Sequence, residues 1–176
     1  TINRGIQNIY SGGVANYTTI NSGNQHIYSG GVANGTTLNG GEQYVSRGVA
    51  NDTVVNTYGY QYVYDGVAND TVVNELGFQM VFSGGSANNT IVSSGGRQNI
   101  YFGGMANNTH IKPNGELILR GGFANALQAE GGLISVIDTS YLSGYTNMIN
   151  GTQIVFAEST PDAKLSMENL DANQLN

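Results

Sequence analysis

An all-β fold, a parallel β-helix (β-solenoid) with coils of about 18–19 residues, is predicted by three features of this sequence. The pentad Gly-Gly-Val-Ala-Asn and its close variants recur with the Asn at Asn16, Asn34, Asn51, Asn69, Asn88, Asn107 and Asn125. A second column, Gln7, Gln25, Gln43, Gln61, Gln79 and Gln98 with Glu116 closing it, repeats every 18 residues except for one step of 19. Two residues after each stands a β-branched residue: Ile9, Ile27, Val45, Val63, Val81, Ile100 and Ile118.

The corners come first. In the third and fourth units Arg47-Gly48 and Asp65-Gly66 replace the longer Ser-Gly-Gly, and the corner before Gln61 and Gln79 lengthens to compensate. A stack that must keep its columns aligned tolerates length changes only at turns, so these Gly-rich segments are the corners of each coil. The segment after the pentad, Asn-x-Thr-x-(Ile/Val/Leu), and the segment Gln-x-(Ile/Val)-aromatic both alternate with period two and read as short strands. Val14, Ile20 and Ile27 are expected to point inward, with Val32, Leu38 and Val45 stacked upon them. Residues in one column of such a stack stand roughly 4.8 Å apart, so the Asn and Gln columns can hydrogen-bond to themselves along the axis. By parity the Thr column, Thr18, Thr36, Thr53, Thr71, Thr90 and Thr109, shares the face of the apolar ladder as a partly buried hydroxyl stack. The outward row Thr19, Thr37, Val54, Val72, Ile91 and His110 is too mixed to form a flat Thr array for ice.

Composition agrees. Of 176 residues 26 are Gly and 23 are Asn, only 10% are charged, and Pro occurs at two positions, which suits many short strands joined by Gly/Asn turns and excludes an amphipathic helical bundle. The absence of Cys removes disulfides, thiolate metal sites and a Cys nucleophile. Six scattered Lys and Arg against a net charge of −6 supply no phosphate-binding patch, so nucleic acid is not an expected partner. No run of roughly 18 apolar residues is present. The chain opens at Thr1 without a signal-peptide pattern and reads as a piece of a longer mature protein.

The repeats resemble those in the passenger domains of AIDA-type self-associating autotransporter adhesins. The resemblance is carried by Ser11-Gly12-Gly13-Val14-Ala15-Asn16 followed by Thr18-Thr19-Ile20-Asn21-Ser22-Gly23 and Gln25, and it covers about residues 1–132. It implies a right-handed β-helix on the outer surface of Gram-negative bacteria, attached to the outer membrane and acting in cell–cell self-association, biofilm formation or host-cell adhesion. The partners so implied are a second copy on a neighbouring cell or a host surface glycan or protein. The resemblance also implies translocation by a membrane β-barrel not present in this chain, and O-linked heptose added by a heptosyltransferase, with Ser11, Ser22, Ser29 and Thr19 as acceptors. Residues 133–176 do not continue the pattern; with strand-like runs at 133–137 and 152–156 and a polar tail from Glu158, they are expected to form irregular coils or a C-terminal cap over the solenoid's open edge.

Parallel β-helices also house polysaccharide lyases, hydrolases and phage tailspike modules, which makes a carbohydrate-active module the alternative function. Asp52 and Asp70, one rung apart with Asp65 nearby, are its best carboxylates, but no Lys or Arg lies in register with them and they read as solvated turn residues. His26 and His110 belong to different columns, so no Ser-His-Asp constellation is evident. The Asn-x-Thr matches restate the structural repeat, apart from Asn150, and give no case for N-glycosylation. The expectation is a non-enzymatic chain with no catalytic, metal or cofactor residues.

Binding is expected on one lateral face. If Gln61 and Val63 point inward, Tyr60, Tyr62 and Tyr64 point outward; Phe78, Met80 and Phe82 do the same one coil on, with Tyr44 above and Tyr101 below. Contiguous apolar surface of this kind usually marks a contact site, and Tyr and Met are enriched at such sites. Because the equivalent first-coil positions are Asn24, His26 and Tyr28, the patch is expected to be local.

Overall fold

The computed structural model describes residues 1–137, 140–143, 147–149, 151–156 and 164–165. The polar stretch from Glu158 to Asn176 lies outside the described residues, Lys164 and Leu165 apart, as does Asn150. The chain winds as a β-solenoid of about eight turns, with three parallel sheets and no helix among the described residues. One nine-stranded sheet carries the Gln column, a second nine-stranded sheet carries the pentads, and an eight-stranded sheet of two- and three-residue strands follows the Thr column. Each strand pairs with its equivalent one coil away, so Gln61 meets Gln43 and Gln79, and Ala68 meets Ala50 and Ala87. Leu133–Ile137 and Gln153–Phe156 pair in the same way at the end of the Gln sheet.

Period-two alternation sets the core. In Tyr60–Tyr64, Gln61 and Val63 are fully buried while Tyr60 and Tyr62 are half-buried and Tyr64 is exposed. On the pentad strands the parity is opposite to expectation: Val14 is 60% exposed and Val32 half-buried, whereas Ala33, Ala50, Ala68, Ala87, Ala106 and Ala124 are fully buried. The Gly-Gly corner places its second Gly inward, so the next inward position is Ala and the Val and Asn on either side face out. Room there is small; a Cβ on Gly31 would stand 2.5 Å from the Ile9 carbonyl oxygen of the coil above.

The polar columns are joined inside the coil. Each Gln Nε2 donates to the Gln Oε1 one coil earlier at 2.6–2.7 Å, from Gln25 to Gln98. The Thr column does not bond to itself. Thr36, Thr53, Thr71, Thr90 and Thr109 each donate from Oγ1 across the coil to a Gln Oε1 at 3.0–3.2 Å. This Gln–Thr crossbar partitions the interior: in the first coils Ile20, Leu38 and Val55 form one apolar cluster, and Ile27, Ala33, Val45 and Ala50 belong to another. The crossbar ends where Gln98 pairs with Leu117, and the next residue of the Thr column is the buried Leu127. From that coil on Ile111, Leu117, Leu127 and Ala129 share one core. The Gln column is therefore closed by Leu117, not Glu116. Glu116 lies in register with Arg97 on the outer face, where an ion pair with the Arg97 guanidinium replaces an amide bond in the core.

Candidate functional site: a ladder of aromatic side chains

The outer face of the Gln sheet carries three columns at alternate positions of each strand. Tyr60 and Phe78 stand in one, with Glu42 before them and Arg97 after. His26, Tyr44, Tyr62, Met80 and Asn99 form the middle column, and Ser46, Tyr64, Phe82 and Tyr101 align in the third, where Tyr28 and Tyr10 continue it above. In-register spacing brings the rings into stacks. Cross-strand neighbours lie 4.5–5.1 Å between centroids and within 2–13° of parallel: Tyr10–Tyr28, His26–Tyr44, Tyr44–Tyr62, Tyr60–Phe78, Tyr64–Phe82 and Phe82–Tyr101. Same-strand contacts at 6.0–6.5 Å, His26–Tyr28, Tyr60–Tyr62 and Tyr62–Tyr64, join the columns into one network.

All eight residues expected on this face are brought together on it, but two features differ from expectation. The network is not local, since His26, Tyr28 and Tyr10 extend it upward; Asn24, at the first column of that coil, concealed a run that continues in the other two. The rings also shield one another, so of the eight only Tyr64 is exposed and the rest are half-buried. Ser11, Ser22 and Ser29 are exposed on corners, while Thr19 is half-buried in a strand.

Three of these tyrosines, Tyr44, Tyr62 and Tyr64, are held in their neutral form. Tyr44 Oη donates to Glu42 Oε2 at 2.6 Å, and this bond, with burial and the Glu42 charge, pushes its phenol well above the ordinary value. Burial, reinforced by the Glu42 carboxylate, raises Tyr62; burial and then Tyr101 raise Tyr64. A raised folded-state pKa means that the unfolded chain loses its protons first. Stability from these groups is therefore intact below about pH 10 and falls as pH rises through the folded-state values. Melting temperatures by circular dichroism are expected to hold from pH 8 to 9.5 and drop above pH 10, and a Tyr44→Phe/Tyr62→Phe/Tyr64→Phe variant is expected to flatten that drop; an equal drop in the variant would place the cause elsewhere.

The carboxylates weighed for catalysis lie elsewhere. Asp52 and Asp70 occupy exposed corners at φ 52° and 55°, and Asp70 Oδ1 accepts from Asn89 Nδ2 at 3.1 Å. His26 belongs to the aromatic ladder and His110 to the short-strand sheet, where His110 Nε2 lies 2.9 Å and Lys112 Nζ 3.1 Å from the Glu130 carboxylate. Lys112 first and His110 second hold that carboxyl below the usual range. No group of three or more metal-ligating side chains occurs among the described residues.

The chain matches the AIDA family, described as "Adhesin of bacterial autotransporter system, probable stalk", over residues 55–115 and 74–132. Among curated proteins, none matches the sequence. Among solved structures, the crystal structure of the TibC-catalysed hyper-glycosylated TibA fragment 55–350 is similar, with a TM-score of 0.70 and 29% identity over 91% of this chain and 73% of that one. Both family matches run through the same corners and columns that build the ladder, and the likeness in three dimensions extends over nearly the whole chain. Residues 55–132 carry the repeats of the AIDA adhesin family, and the family matches and the TibA likeness together support a fragment of an AIDA-type autotransporter adhesin passenger.

Proposed function

We propose that the ladder face mediates self-association between copies displayed on neighbouring cells, the contact that underlies cell aggregation and biofilm formation. The observation that carries this reading is the direction of the rings. They stack along the solenoid axis, so the ladder presents ring edges and phenol groups outward and covers at least one face of each stacked ring. A sugar packing on an aromatic side chain uses the ring face, which neighbouring rings cover on both sides at Tyr44 and Phe82 and on one side at Tyr60, Tyr62, Tyr64 and Phe78; the other side of Phe78 has the Arg97 guanidinium 5.9 Å from its centroid. A row of edges repeating at strand spacing is instead matched by another row of the same spacing, which a second copy possesses. This ranks self-association above adhesion to host glycans. The adhesin family and the TibA likeness likewise favour a non-enzymatic role over the carbohydrate-active alternative.

On the same reading, residues 1–132 are the repeat solenoid and residues 133–176 its irregular closing coils or cap. The whole is exposed at the cell surface, tied to the outer membrane through a β-barrel outside this chain. TibA's TibC-catalysed glycosylation makes an analogous transferase a partner here, with Ser11, Ser22 and Ser29 as the better-placed acceptors and Thr19 as the poorer one.

The test is sedimentation velocity of the purified chain beside Tyr62→Ser/Met80→Ser. The wild type is expected to self-associate and the variant to remain monomeric. Each lost ring contact costs about 0.5–1.5 kcal/mol, so the variant's melting temperature is expected to fall by several degrees without loss of the fold. A folded variant that associates as the wild type does would move the contact off this face.

A further inference from the structure

We infer that Tyr58 and Leu76, at the corner leading into the ladder, are contact residues for a second copy of this chain; the inference rests on the self-association reading above. This corner has one left-handed residue in each coil from Gly40 to Gly131. In order they are Gly40 (φ 105°), Tyr58 (58°), Leu76 (54°), Gly95 (72°), Asn114 (61°) and Gly131 (78°). Gly adopts this conformation freely and Asn tolerates it, whereas Tyr and Leu are strained in it. The backbone does not require them. Tyr58 N donates to the Leu76 carbonyl at 2.9 Å and Leu76 N to that of Gly95 at 3.0 Å, the same bond that Gly95 N makes to Asn114 at 3.0 Å. Nor does burial compensate, because Tyr58 is 63% and Leu76 43% exposed.

Two bulky apolar side chains thus sit, strained and uncovered, in consecutive coils where Gly would serve the fold better. Strain that the fold does not need is a mark of function. The two coils are those whose next strands carry large side chains at all three outward positions, Tyr60, Tyr62 and Tyr64, then Phe78, Met80 and Phe82.

Charge identifies the occupant. In a face-to-face pair with its two-fold axis parallel to the strands, midway between Tyr60–Tyr64 and Phe78–Val81, each residue meets its column-mate across the axis. Tyr58 then faces Leu76 of the second copy, Tyr60 faces Phe78, Tyr62 faces Met80 and Tyr64 faces Phe82. The next positions in the outer column, Glu42 and Arg97, also fall opposite each other with opposite charge. The face is self-complementary in both apolar and charged positions, and the two solenoids run antiparallel.

Two sets of variants test this by sedimentation equilibrium and thermal melting. Tyr58→Gly/Leu76→Gly is expected to melt no lower than the wild type while its dissociation constant rises at least tenfold. Glu42→Arg and Arg97→Glu are each expected to weaken association, and the double exchange to restore most of it. Within one molecule these residues are three coils apart, so restoration requires a contact between copies. Wild-type association in the Gly variant overturns the role of the corner, and failure of the double exchange to restore association overturns the axis. In either case the ladder reading stands if Tyr62→Ser/Met80→Ser still abolishes association. A wild type that stays monomeric overturns the ladder reading and this inference together.

Discussion

Val63→Asp is expected to leave the chain unfolded at neutral pH, or melting tens of degrees below the wild type. Val63 has no exposed surface and pairs with Val45 and Val81, themselves fully buried. The side chains above and below are apolar, and the hydrogen-bonding capacity of the nearby Gln and Thr groups is engaged in the crossbar. An ionised carboxylate there finds no counter-ion, and burying it costs several kcal/mol, roughly half or more of a small domain's stability. Desolvation raises the pKa of the introduced Asp, so folding is expected to recover partly as pH falls toward 5. Val49→Asp is the control. Val49 lies on the pentad strand and faces outward, half-buried, and its substitution is expected to cost no more than about 1 kcal/mol. Urea titrations followed by circular dichroism measure both. Equal destabilisation by the two would mean that strand parity does not decide what this solenoid tolerates.

The contrast between Val63 and Val49 also shows how far the sequence is readable. Where a strand spans four or five residues, as at Tyr60–Tyr64, period-two alternation assigns inside and outside without ambiguity, and Gln61, Val63 and the outward tyrosines follow from it. The pentad strand is three residues long and flanked by corners, so size misleads: Val looks like core beside Ala, yet the corner fixes the parity and the narrow interior takes the Ala. Leu117 was hidden by a length change. A coil of 19 residues with Glu116 one place before the expected amide imitates an unbroken Gln column, and only the pairing of Gln98 with Leu117 reveals the shift. The candidate site was legible as a set of outward positions but not in its extent or ring direction. Both depend on side-chain torsions and on His26, which beside the polar Asn24 reads in the sequence as a break in the patch, whereas its ring stacks on Tyr44.

That shift points to the second large effect. Gln61→Leu is expected to destabilise by about 3–5 kcal/mol, although Leu is apolar and of similar length, because Gln61 serves three partners at once. Its Nε2 donates to Gln43, and its Oε1 accepts from both Gln79 Nε2 and Thr71 Oγ1. Removing the amide strands the Gln79 Nε2 donor and the Thr71 hydroxyl in a fully buried place, while Gln43 Oε1 keeps its bond from Thr53. Two orphaned donors at about 1–3 kcal/mol each set the magnitude. Adding Thr71→Val removes one orphan with its shape preserved, and the double variant Gln61→Leu/Thr71→Val is expected to recover about 1–2 kcal/mol relative to Gln61→Leu. The end of the ladder behaves differently. Gln98 accepts from Thr109 alone and donates to Gln79, whose oxygen also holds Thr90. Gln98→Leu/Thr109→Val therefore orphans no buried donor and recreates the arrangement that the next coil already has at Leu117 and Leu127, so it is expected to cost no more than about 1 kcal/mol. Denaturant titrations of the three variants separate this account from simple volume matching. If substitution in mid-ladder and at its end cost the same, the amides act independently and the crossbar is not a connected network.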